Sequence, residues 1–160
     1  MARTILAFAA ALLLTGLASA PARANDTLFT ADLLGNVANQ VIAGFPSSTA
    51  TWSIEKGRVT LAGFGKGRAI LVAKARGLII PALGFNPSPD FLARLVCHDA
   101  AGKPFEGART KTAPLDPEGD GTLVDVVKLP DACFAPIVLI TGSVDPAGNR
   151  PGNWFAVSAL

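Results

Sequence analysis

The 160-residue chain has one histidine, two cysteines and, beyond its first two dozen residues, no apolar run long enough to span a membrane. Each shortage removes a class of function. A lone His98 cannot supply the paired imidazoles of most zinc sites. It stands beside Cys97, which an oxidising compartment would tie up, so a Cys–His nucleophile is not available. No Gly-x-Ser-x-Gly elbow occurs. Helix-forming periodicity is also scarce. The best stretch is "TADLLGNVANQVIAGF", where Leu33, Leu34, Val37 and Val41 fall near helical spacing, but Gly35 interrupts it and Asn36 and Asn39 are poor helix formers. The inventory points to no catalytic residue, no cofactor and no resident metal.

What is present begins with export. Arg3 precedes an uncharged run from Ile5 to Ala20, and Ala22-Arg23-Ala24 forms a small-x-small cleavage site, so residues 1–24 read as a secretory signal peptide and 25–160 as the mature chain. A membrane anchor is the competing reading, weakened by Gly16, Ser19 and Pro21 at the end of the run. No cysteine sits near the cleavage site to carry a lipid. The expected location is secreted or periplasmic.

Removing that segment takes away Arg3 and Arg23, so 12 of the 14 basic residues remain against 12 acidic ones. The mature chain is formally neutral, and nucleic acid is not an expected partner. The charge is uneven, however. Asn25–Ile80 carries six Lys/Arg against three Asp/Glu, and Pro81–Leu160 carries six against nine. Both cysteines, Cys97 and Cys133, lie in the exported part, where an internal disulfide is the default and two buried thiols or an intermolecular link are the alternatives.

A chain of 136 residues suits one domain. Glycine and proline punctuate it every eight to twelve residues between short runs rich in Val, Ile, Leu and Thr, the rhythm of an antiparallel all-β domain. Expected strands are Phe29–Leu34, Thr51–Glu55, Arg58–Gly63, Arg68–Ala75, "GLIIPA" around Ile80, Phe91–Asp99, Thr122–Leu129, Pro136–Gly142 and the closing "NWFAVSAL". Seven or eight strands, drawn from these nine candidates, suit a single β-sandwich of immunoglobulin-like type. In "FLARLVCHD", Ala93, Leu95 and Cys97 share a core face while Arg94, Val96 and His98 share the other. Apolar residues in "PIVLITG" do not alternate, as expected of a strand covered on both sides.

Three stretches invite chemistry. "DPEGDG" places Asp116, Glu118 and Asp120 at the first, third and fifth positions of a calcium loop and Gly121 at the sixth, but the bidentate acid required at the twelfth is Val127. Pro117 and Asp120-Gly121 suit a tight turn between strands instead. "EKGRVTLAGFGKGRAILVAKARG" carries three Lys-x-Arg pairs, Lys56/Arg58, Lys66/Arg68 and Lys74/Arg76, which converge into a polyanion patch if neighbouring strands align them. Read alone, these are solvated charges, some serving to protect strand edges, and no retention on heparin is expected. The glycines of "GFGKGR" lack the spacing of a phosphate loop. Asp99, Glu106, Asp116, Glu118, Asp120 and Asp125 could furnish a carboxylate pair for acid–base work, with nothing to favour one pair.

The succession "RGLIIPALGFNPSPDFLARLVCHD", "PLDPEGDGTLVDVVKLPDACFAPIVLI" and "NWFAVSAL" resembles a group of small exported bacterial proteins of unknown function, and is loosely similar to chordin-type (CHRD) β domains. The resemblance spans Trp52–Leu160. It implies a secreted β-sandwich with Cys97 bonded to Cys133, and it carries over no catalytic residue. The expected function is a non-catalytic binding or structural role with an envelope or extracellular partner. The alternatives are a small carboxylate-dependent hydrolase or lyase, and weak binding of a cation or a polyanion.

Overall fold

The computed structural model describes residues 27–142 and 152–159; the expected signal peptide lies outside them. Every named element is a strand: β1 (Thr27–Gly35), β2 (Val41–Ile42), β3 (Phe45–Pro46), β4 (Lys56–Gly63), β5 (Arg68–Arg76), β6 (Asp90–His98), β7 (Pro104–Arg109), β8 (Ala113–Pro114), β9 (Gly121–Lys128), β10 (Phe134–Thr141) and β11 (Trp154–Ser158). All ladders between them are antiparallel, and one runs β7-β6-β10-β11-β1-β4-β5-β9, with β8 added to the start of β6.

β1 bends this ladder into two leaves. Its first part pairs with β4, ending at Asp32↔Arg58, and its last part pairs with β11, beginning at Leu33↔Ser158. One leaf is therefore β7-β6-β10-β11 and the other β4-β5-β9, joined along β1. On the opposite side the leaves meet without a ladder. There the Asp125 carboxylate of β9 accepts a hydrogen bond from Lys111 N at 2.7 Å, in the segment leading to β8. An inward carboxylate on a terminal strand also discourages a further strand from adding. The architecture is an antiparallel β fold closed through a shared strand, between an open sandwich and a barrel.

The main core fills the space between the leaves. Val59, Leu61, Leu71 and Leu123 come from one side, Phe91, Leu95, Val138 and Ile140 from the other, and Trp52 stacks on Phe155 with ring centroids 4.5 Å apart. Cys97 is fully buried and bonded to Cys133, closing a separation of 36 residues. A second, smaller core lies on the far face of the β6-β10-β11 leaf, where Val96, Leu139 and Trp154 are covered by Ile42, Ala43 and Phe45 of the β2–β3 hairpin. That hairpin turns through Ala43 and Gly44, both at positive φ, as a two-residue turn between twisted strands requires. Trp154 Nε1 donates to Phe45 O at 2.9 Å, and Ser48 N to Trp154 O at 2.8 Å, so the flap is tied down at its base.

This cover explains why Val138, Leu139 and Ile140 are all buried, as the unbroken apolar run predicts. It also amends the reading of β6. Ala93, Leu95 and Cys97 do share the main core, but Arg94 and Val96 on the other face are buried beneath the flap instead of meeting solvent. Thr51–Glu55 and the stretch around Ile80 are not strands. They touch through an isolated exchange, Ser53 N to Ile79 O at 2.9 Å and Ile79 N to Ser53 O at 3.0 Å, which fixes Trp52 over the core. The region 37–42, part of the best helical candidate, forms turns and the first arm of the flap.

Candidate functional site

Strict alternation along β4, β5 and β9 sends one set of side chains into the core and leaves the other set on a bare outer face. The outward set is Lys56, Arg58, Thr60 and Ala62 on β4, Arg68, Ile70, Val72, Lys74 and Arg76 on β5, and Thr122, Val124, Val126 and Lys128 on β9. It holds six cations and no acid. Register then sorts them. Lys56 sits opposite Arg76, Arg58 opposite Lys74, and Arg68 opposite Lys128.

Like charges directly across a ladder repel. Lysine and arginine protect exposed sheet edges, a role open to Lys128 on the terminal strand β9, but the other five cations lie on β4 and β5, which are flanked by β1 and β9. Of the six predicted patch residues, Lys56, Arg58, Lys74 and Arg76 gather at one end. Arg68 lies at the other, eight residues along β5 from Arg76 and thus roughly 26 Å away. Lys66 occupies the β4–β5 turn at φ 55 between two glycines, and the Arg68 guanidinium lies 5.0 Å from the centre of the Phe64 ring. The glycine cluster of "GFGKGR" is a hairpin turn.

The four-cation end is a shallow depression of about 610 Å³, lined also by Asp120 and Thr122. Acids stand at its margin. Asp32 approaches Arg58 at 3.3 Å and Glu55 approaches Arg76 at 3.8 Å, both pairs well exposed and so only weakly neutralising. Asp120 Oδ1 accepts from Gly77 N at 2.8 Å. Lys56 and Lys74 have no ion-pair partner among the described residues.

Between the two charged ends runs an apolar band, Ala62–Ile70–Val126 and Thr60–Val72–Val124 in register. Val124 is 64% exposed, Val126 52% and Ile70 37%. Lys128 was missed as a member of this group, since it joins Arg68 only through the pairing of β5 with β9, two strands far apart in the chain. A signal for the band did exist. "TLVDVVKL" is apolar on both phases, the pattern of a strand covered twice, and the described residues cover only its inner face.

The other candidates are tied into local structure. The acidic stretch is a turn with exposed side chains whose backbone is docked: Asp116 Oδ1 accepts from Asp120 N at 2.7 Å, Leu78 N donates to Gly119 O, and Asn86 N to Pro117 O. It is held against the 78–86 segment and does not stand free as a loop tip. Asp99 Oδ1 accepts from Ala101 N and Lys103 N, and Asp125 from Lys111 N and Val126 N. Glu106 binds Arg109 at 2.7 Å and Arg94 at 3.0 Å. Neither Arg94 Nε nor Nη2 finds an acceptor in line, so its contact with Glu106 is an ion pair without a directed hydrogen bond. Burial pushes the Arg94 guanidinium below its ordinary pKa, Glu106 opposes this and Arg109 adds to it. The Phe45 ring caps Arg94, with 4.6 Å from Cζ to its centroid. His98 is half-buried at the end of β6, its Nδ1 3.3 Å from Ala135 O. Among the described residues no group of three His, Cys, Asp or Glu side chains is placed to hold a metal.

Fold and site together define an antiparallel β protein with one disulfide and a cationic, part-apolar sheet face. No family model matches the chain, and no curated protein or solved structure matches it either. The formed disulfide suits an extracellular or periplasmic protein, and no helix among the described residues is long and apolar enough to cross a membrane.

Proposed function

We propose that this is an exported binding protein that captures anionic partners on the outer face of the β4-β5-β9 leaf, without catalysing a reaction on them. One observation carries the reading: six outward Lys and Arg side chains on three adjacent strands, three cross-strand pairs of like charge, and no acid among them. Each such pair raises the energy of the free protein, and an anion spanning the strands would relieve it. The resemblance to small exported bacterial proteins agrees with a secreted β domain. Of the six acids that a hydrolase or lyase could draw on, Asp99, Glu106, Asp116, Asp120 and Asp125 are engaged with backbone amides or arginines, and only Glu118 is not, which supports binding over carboxylate catalysis.

Retention on immobilised heparin tests the proposal. The chain should elute above physiological salt, later than a variant carrying Arg58→Glu and Lys74→Glu, and the difference should shrink as salt rises. Equal elution of the two proteins would overturn it.

A further inference from the structure

We infer that the natural partner of this face is an anionic membrane surface, which it meets flat, with the apolar band between the two cationic rows against the lipid interface. The inference rests on the proposed anion-binding reading and adds the class of partner. A soluble polyanion would be satisfied by the charged rows and would gain nothing from Ile70, Val124 and Val126, the last two more than half exposed between those rows. A bilayer presents both chemistries in one plane, negative headgroups and, just beneath them, apolar surface. The placement fits that plane. The cations Lys56, Arg58, Lys74 and Arg76 lie at one end of the strands, Arg68 and Lys128 at the other, and the apolar rows in the middle of the same face. On the other leaf the corresponding outer face is filled by the chain itself, through the β2–β3 flap. Over this one no described segment is packed.

Co-sedimentation with vesicles tests the idea, one set made of equal parts phosphatidylglycerol and phosphatidylcholine, the other of phosphatidylcholine alone. Residues 1–26 are common to every variant, so differences between variants report the sheet face. The chain should bind the anionic vesicles and leave the neutral ones. Arg58→Glu with Lys74→Glu should weaken partition by at least about 25-fold, taking about fivefold for each cation lost near such a surface. Val124→Ser with Val126→Ser should weaken vesicle binding several-fold while leaving heparin elution and the melting temperature unchanged, because both side chains are largely exposed. Heparin retention with no vesicle binding, or vesicle binding indifferent to the serine variant, would overturn this inference and leave the anion-binding proposal standing. Failure on both heparin and vesicles would overturn both.

Discussion

The two leaves solve the same problem in opposite ways. In β6 every residue from Phe91 to Cys97 is buried, and β10 ends in four buried residues, because the main core covers one side and the β2–β3 flap the other. In β5 burial alternates almost perfectly, because no described segment covers the second side. A covered face can be apolar, and it can even hold an arginine if an aromatic ring and a carboxylate receive it, as Phe45 and Glu106 receive Arg94. An uncovered face is expected to be polar and of mixed charge. The β4-β5-β9 face is apolar in its middle and of one sign at both ends, and the anion-binding proposal rests on that departure.

The comparison breaks most visibly at Trp154. It is 1% exposed, and its indole both fills the second core and bonds the flap, so Trp154→Ala should destabilise by about 3–5 kcal/mol in chemical denaturation. Loss below about 1 kcal/mol would mean that the flap is not part of the fold. Next comes the bond that pins β6 to the approach to β10. Replacing Cys97 and Cys133 together by Ala should cost about 3–4 kcal/mol, from the 36-residue loop it closes, and intact-mass measurement should find the native protein two hydrogens lighter than its reduced form.

The bare leaf should be sensitive only where it is anchored. Gly119 sits at φ 84, and a Cβ there would collide with the backbone of Leu78, so Gly119→Ala should destabilise by about 1–3 kcal/mol, read as a lowered melting temperature. The smallest effect belongs to the charged face itself. Lys74 stands opposite Arg58, and Lys74→Thr should leave stability unchanged or raise it by a few tenths of a kcal/mol, about the worth of a relieved cross-strand repulsion. A clear loss on that substitution would assign the lysine to the fold and weaken its assignment to a partner.

Much of this contrast was legible. The alternating phases of "RVTLAG" and "RAILVAKA" and the unbroken apolar run of "PIVLITG" separate a strand with one free face from a strand with none. Pro104–Arg109 was not legible as a strand, since "PFEGAR" has no apolar alternation and pairs only because β6 offers it an edge. The two-residue strands of the flap are set by their turn and by Trp154 beneath them, which lies more than a hundred residues away in the chain. The patch was read in part: two of the three Lys-x-Arg pairs meet, because hairpin geometry aligns strands joined by a short turn, while the middle pair is divided between that turn and the far end of the face.

By itself the sequence determined the fold class, since a period of two and frequent glycine and proline leave no long amphipathic helix to form, and it determined the inward phase of Cys97. Only the tertiary structure decided which outer face is covered. Side-chain period assigns residues to faces, but what packs on a face depends on pairings between distant segments, here β5 with β9, β1 with both leaves, and the flap with β10 and β11. That long-range choice brought Lys128 opposite Arg68 and left Val124 and Val126 in solvent.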